Sequence, residues 1–262
     1  MTVLTRPFRI VESELIAYRR TWRGTVISSF VNPVLFLAAM GVGLGTLVDA
    51  GPNDLAISYL AFVATGLMAA TAMQSGAGDG AFPVMAGIKW RKDFHGAITT
   101  PIAPSDIVVG RFYWGAIRLT FILVVFAVIS VLFGALEIGP ALLAVPPAVL
   151  TGLAFQTVVT TFTVTREDET SLSTMFRFGI IPLFLFSGTF FPISQLPDFL
   201  EVIAYVTPLF HGVELVRKIA LPEVDSSVVT ELPIWVHLAY LVTMTALGVF
   251  FASRFLARRL KP

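Results

Sequence analysis

Apolar residues in this chain come in long runs, and the polar residues are crowded into the short gaps between them. Six runs reach the roughly 20 mainly apolar residues that a membrane-spanning helix needs: 25–48, 55–75, 112–136, 141–165, 172–193 and 234–256. Residues 3–22, ahead of them, follow a different pattern. Phe8, Val11, Leu15, Tyr18 and Trp22 recur every three or four residues, with Arg6, Arg9, Ser13 and Arg20 opposite. This predicts an interfacial helix at an anionic headgroup boundary, or one packed on a cytosolic partner. A segment between 194 and 232 contains an apolar run, 199–213, that is too short to cross, and it reads as a re-entrant or interfacial hairpin. Asn32-Pro33 and Pro182 interrupt two spans, and glycines cluster at Gly41, Gly43 and Gly45 and at Gly76, Gly78 and Gly80, where helix backbones can approach closely. No repeat appears, so the expected architecture is one all-α transmembrane domain over residues 1–262.

Composition supports the same class. Of 262 residues, 56% are hydrophobic and 13% charged, against about 45–50% and about 25% in a soluble domain. The first 24 residues are too charged for a signal peptide, so the first run is expected to remain as a span. With no cysteine, disulfides and thiolate chemistry are excluded. Net charge is only +1, yet its distribution is lopsided. The segments on one side of the predicted spans hold Arg6, Arg9, Arg19, Arg20, Arg23, Lys89, Arg91, Lys92, Arg111, Arg166, Arg254, Arg258, Arg259 and Lys261. Only Arg217 and Lys218 fall on the other. The links Asp49–Asp54 and Glu137–Pro140 carry no basic residue. By the positive-inside bias both termini are cytoplasmic, and Arg118 and Arg177 snorkel toward that side.

Several chemistries are missing. No lysine follows a glycine, so there is no phosphate-binding loop and no ATP site of that kind. GVGLG and GAGDG fail the dinucleotide spacing. His95, His211 and His237 are scattered, and His211 with Glu214 at i, i+3 is a polar contact far more than a metal pair. Glu167, Asp168 and Glu169 read as a solvated turn opening a helix. Intramembrane carboxylates of the kind a proton relay uses are not expected. Three features remain. One is the charged island Lys89, Trp90, Arg91, Lys92, Asp93, Phe94 and His95, whose aromatics either fill a partner's pocket or sit in an interfacial belt. The second is the phenylalanine-rich fifth span with Phe184, Phe190 and Phe191, facing a substrate path or lipid. The third is the polar face of Gln156, Thr160 and Thr163, serving a path or bonding between helices.

YRRTWRG at 18–24, NPVLFLAAMGVGLG at 32–45, KWRKDFHGAITTPIAPSDIVVGR at 89–111 and SGTFFPISQLPDFLEVIAYVTPLFHGVELVR at 187–217 resemble the permease subunits of type-2 ABC exporters. The likeness covers essentially the whole chain and is nearest to the nodulation-factor and daunorubicin-type drug export permeases. It implies that a coupling segment at about 83–104, with Lys89 to His95, docks on a separate ATPase subunit, and that the loop from Arg166 to Thr170, with Arg166 and Glu167, forms a second, smaller contact. It implies re-entrant helices within about 188–232 forming an external gate, with Pro192, Pro197, Pro208, His211, Glu214 and Arg217. It also implies two permease and two ATPase copies, with ATP and magnesium held by the partner and no cofactor in this chain. Relatives often carry a glutamate-arginine pair and Gly-Thr in the coupling segment, where this chain has Lys92-Asp93-Phe94-His95-Gly96-Ala97. The implied function is ATP-driven export of an amphiphile across the plasma membrane: a glycolipid, a lipo-oligosaccharide or a hydrophobic drug. Membrane lipid is a partner and nucleic acid is not. An intramembrane lipid- or glycan-modifying enzyme and an uncoupled scaffold or channel are the alternatives.

Overall fold

The computed structural model describes residues 6–45, 57–222 and 229–260. The link Asp49–Asp54 and Lys261 lie outside the described residues. Within them the chain is helix and connecting turn, without a strand. Helix α1 is Arg6–Phe36, extended by π-helical turns Leu37–Leu44, and α2 is Tyr59–Met85, extended by π-helical turns Ala86–Trp90. A short α3, Asp93–Ile98, precedes α4, Pro104–Leu132. Next come α5, Ile138–Leu143, and α6, Val145–Thr163. Helices α7, Thr170–Met175, and α8, Ile181–Phe186, flank π-helical turns Phe176–Ile180. The chain finishes with α9, Asp198–Val206, α10, Pro208–Ala220, and α11, Ile234–Arg259.

Among the described residues, five helices are long and apolar enough to cross a membrane: Arg6–Met40, Tyr59–Trp90, Pro104–Leu132, Ile138–Thr163 and Ile234–Arg259. This is a multi-pass, all-helical membrane protein. The predicted run 172–193 forms only the shorter apolar helix Thr170–Phe186, because Gly188 takes a φ of +79° and turns the chain. Helices α9 and α10 meet at 77°, a broken span or re-entrant hairpin where the short apolar run predicts one.

The expected boundary between an interfacial helix and the first span is absent. Nothing in Arg19–Thr25 stops a helix, since a lone Gly24 costs only about 1 kcal/mol, so α1 runs through. Its 31 residues measure about 46 Å, against a hydrocarbon layer of about 30 Å, and its basic first third extends past that layer. The predicted apolar arc meets the bundle only in part. Tyr18 packs edge-on against Trp114 at 5.3 Å, while Pro7 and Ile10 close on Gly110. Phe8 stacks on Tyr113 at 5.7 Å but stays 60% exposed, and Leu15 and Trp22 are also exposed.

At the centre, α2 crosses α6 with the two backbones in contact. A Cβ on Gly76 would collide with the Gly152 carbonyl, and one on Gly152 would sit 2.8 Å from the Ala72 carbonyl oxygen. Gly80 meets the Gln156 carbonyl in the same way. Lipid tails are as apolar as leucine, so close packing of this kind holds such helices together. Gly78, on the other side of α2, has nothing within 4 Å of an added Cβ. Gly76→Ala is therefore expected to cost about 1–3 kcal/mol, a fall of roughly 2–12 °C in thermal midpoint in detergent, while Gly78→Ala stays near wild type. Equal midpoints for the two variants would contradict the crossing.

Candidate functional site

The charged island closes one end of the bundle. After the π-helical turns Ala86–Trp90, Lys92 adopts a left-handed φ of 55° and redirects the chain into α3. Phe94 does not face a partner, as the aromatic-anchor expectation required. It is 6% exposed and packs with Val84, Ile88, Ile107, Val108 and Leu256. Its ring lies so close to Gly87 that a Cβ there would be 2.6 Å away. Burial against the chain's own apolar cluster outweighs presentation to water, so Phe94 fastens α3 to α2, α4 and α11. What α3 and its approach expose is Lys89, Trp90, Arg91, Lys92, Asp93 and His95. Arg91 pairs with Asp93 at 3.1 Å.

The loop between α6 and α7 lies beside this surface. The Trp90 indole N–H donates to Glu169 Oε1 at 3.0 Å, and Lys89 pairs with the same carboxylate at 3.7 Å. Glu169, inside the loop expected to form the second contact, is the residue that joins the two. Arg166 lies 4.5 Å from the Phe162 ring, and Glu167 is exposed beside Arg258 and Arg259. Asp168 accepts from the Ser171 N–H at 2.9 Å. That bond and the Ser171 hydroxyl hold its carboxyl below the usual range, and it opens α7 as predicted for this acidic turn.

A buried ionic cluster behind α3 contradicts the expectation of no intramembrane carboxylate. Asp79, in α2, has a side chain 6% exposed and pairs with Arg118 of α4 at 2.6 Å. Arg118 therefore does not snorkel. Arg111 pairs with Glu14 of α1 and donates to the Asp79 carbonyl at 3.0 Å. Its own carbonyl accepts from Gln156 Nε2 at 3.0 Å, and its guanidinium lies 5.9 Å from the Phe94 ring. One arginine thus touches α1, α2, α3 and α6 from its place on α4.

The predicted polar path is closed. Gln156, Thr160 and Thr163 are 3%, 8% and 0% exposed, and Thr163 donates to the Val159 carbonyl at 2.8 Å. Only about 10 Å³ of free space lies beside Gln156 and Thr160. These side chains serve helix–helix packing. An open polar cleft of about 140 Å³ lies instead between α1, α2, α4 and α8, with Asn32, Phe36, Thr71, Gln74, Arg118 and Phe184 on its walls. Phe184 meets Phe190 edge-on at 5.0 Å; Phe191 is half-buried beyond them. Sequence reading missed Thr71 and Gln74, although Leu67, Thr71, Gln74 and Ser75 share one helical face.

At the opposite end, three predicted gate prolines begin three short helical elements. Pro192 precedes a 3₁₀ turn, Pro197 precedes α9 and Pro208 is the first residue of α10. His211 and His237 lie Nδ1 to Nδ1 at 2.9 Å, a hydrogen bond that ties α10 to α11. Glu214 accepts from the Thr230 N–H and hydroxyl, both at 2.7 Å. Arg217 is not the loop charge that the orientation count assumed. It is 1% exposed and donates to the Thr65 hydroxyl and to the Phe62 and Gly188 carbonyls.

Comparison with known proteins matches residues 8–221 to the ABC-2 type transporter family. Nodulation protein J of Rhizobium meliloti (strain 1021) is 26% identical over 94% of this chain and 91% of its own length. Nodulation protein J of Sinorhizobium fredii is 27% identical over 94% and 90%. The inner membrane transport permease YadH of Escherichia coli K12 is 21% identical over 76% of each chain.

Asp79→Asn leaves Arg118 without its charge partner, and breaking a buried pair from one side costs about 3–5 kcal/mol. The double variant Asp79→Asn/Arg118→Gln removes both charges and is expected to recover at least half of that loss. Midpoints by thermal unfolding decide it; additive losses would show that the two side chains do not act as a pair.

Proposed function

Because the chain belongs to the ABC-2 type transporter family, we propose that it is the permease subunit of an exporter driven by a separate ATPase subunit. The observation that carries this reading is the coupling segment. Phe94 fixes α3 to three helices, while Lys89, Trp90, Arg91 and Lys92 stay exposed around it. A solvated, charged tip on a rigid anchor is suited to receive force from a partner. None of the four lysines follows a glycine, so energy from ATP must come from outside the chain.

The exposed basic surface next to Trp90 marks the docking face, with Glu169 holding the second loop in register. The concentration of Arg and Lys at this end supports a cytoplasmic location for it and for both termini. Two copies of the chain and two ATPase subunits form the working unit in the plasma membrane. The cleft beside Gln74, Arg118 and Phe184 mixes polar and aromatic walls, which suits an amphiphile such as a glycolipid, a lipo-oligosaccharide or a hydrophobic drug. Phe184 and Phe190 then contribute to the path, and Gln156, Thr160 and Thr163 support it from inside the bundle.

Co-expression with candidate ATPase subunits tests the reading. The wild-type chain is expected to co-purify with one of them and to move substrate only with ATP. Charge reversal at Arg91 and Lys92 is expected to lower that association at least tenfold while stability falls by no more than about 1 kcal/mol, the scale of the exposed Arg91–Asp93 pair that it breaks. Phe94→Ala is expected to keep the docking charges but to let hydrolysis proceed without transport. Failure of every ATPase to associate, together with export that ignores ATP, would sink the proposal.

A further inference from the structure

The end of the bundle opposite the coupling segment holds a cavity of about 770 Å³, within the roughly 300–1,000 Å³ typical of ligand sites. Three charged side chains line it: Glu231 at the exposed rim, and Glu214 and Arg217 deeper inside, where no ion pair joins those two among the described residues. Arg217 spends Nε and Nη2 on neutral acceptors: the Thr65 hydroxyl at 3.3 Å and the Phe62 and Gly188 carbonyls at 3.3 and 3.0 Å. It lies 3.9 Å from the Phe62 ring, and its Nη1 has no hydrogen-bond partner among the described residues. Glu214, one turn earlier, commits Oε2 to Thr230, and its Oε1 has no partner among the described residues. The two share a helix face at i, i+3, yet no ion pair joins them among the described residues. Tyr205 and Phe210, edge-on at 5.1 Å, supply an aromatic wall.

We propose that this cavity binds a zwitterionic headgroup that carries a primary ammonium and a phosphate, as phosphoethanolamine does. Arg217 would meet the phosphate, and Glu214 would meet the ammonium beside Tyr205 and Phe210. A simple anion is repelled by Glu214 and a simple cation by Arg217, whereas a ligand of both signs satisfies each. A trimethylammonium has the charge but no N–H to give Glu214 Oε1, so amine and choline headgroups are separated by the carboxylate. The bond to Thr230 holds Glu214 in place before the ligand arrives. This site stands independently of ATP coupling, since none of its residues belongs to the docking end.

The test uses the full chain in detergent with acyl-labelled phosphatidylethanolamine as probe and phosphatidylcholine and phosphatidylglycerol as comparators. Ethanolamine lipid is expected to bind at least tenfold tighter than either. Glu214→Gln is expected to erase the preference over choline. Ser194→Trp, placed at the exposed rim, is expected to weaken the labelled lipid at least tenfold with an unchanged thermal midpoint. Displacement by soluble glycerophosphoethanolamine supports a site that also takes the free headgroup. Lipid binding that resists that compound supports the lipid source alone. Equal binding of the three lipids, or a Ser194→Trp variant that binds like wild type, would overturn the proposal, and neither result bears on whether an ATPase associates.

Discussion

Contact between the α2 and α6 backbones at Gly76, Gly80 and Gly152 sets the position of nearly everything else. Helices in a bilayer gain little from burying apolar surface against one another, so their association rests on close approach and on hydrogen bonds made between them. Here the close approach lies mid-span, and each end of α2 carries a polar cluster. Toward one end Asp79 receives Arg118, and its carbonyl receives Arg111. Toward the other, Thr65 and the Phe62 carbonyl receive Arg217. Charges at membrane depth require partners within the protein, and α2 supplies them because α6 holds it in the centre.

The end that carries α3 inherits its geometry from that arrangement. Helix α2 passes without a break into the π-helical turns before α3, and Arg111, early in α4, reaches both Phe94 and Glu14. A displacement of α3 therefore acts on α2 directly and on α1 through a single guanidinium. A second π-helical segment, Phe176–Ile180, lies alongside, with Phe176 stacked on Phe82 at 5.7 Å. Such turns recur at functional sites. Here they bring the less regular backbone of α2 and of the segment between α7 and α8 close together.

Much of this was legible in the sequence. Five of the six predicted runs are recovered within long helices, because twenty apolar residues in a row have few other uses. The bend between Val206 and Pro208 follows from an apolar run too short to cross. Partners were harder to see. Asp79 sits among glycines and alanines that read as a packing face, and nothing local announces that Arg118, 39 positions later, points at it. Phe94 among charges looks like an exposed anchor, and only the gap left by Gly87 shows that it turns inward. Gln156 gives the same periodicity whether it lines a path or bonds to the carbonyl of Arg111. Periodicity reports which face a residue occupies; the occupant across that face is a tertiary fact.

The departure from the usual coupling sequence now has a physical setting. Lys92 is the sole described non-glycine residue with positive φ, and the left-handed conformation costs an ordinary side chain about 1–2 kcal/mol. Its neighbours keep it there. Arg91 and Asp93 pair across it at 3.1 Å, Asp93 places negative charge at the start of α3, and Phe94 buries the next position. Strain of this kind persists where the surroundings over-determine it. Asp93 and Phe94 hold an exposed, strained turn at the tip of this end of the bundle. The altered residues thus maintain the turn itself, and the side chains that it leaves exposed are those of Lys89, Trp90, Arg91 and Lys92.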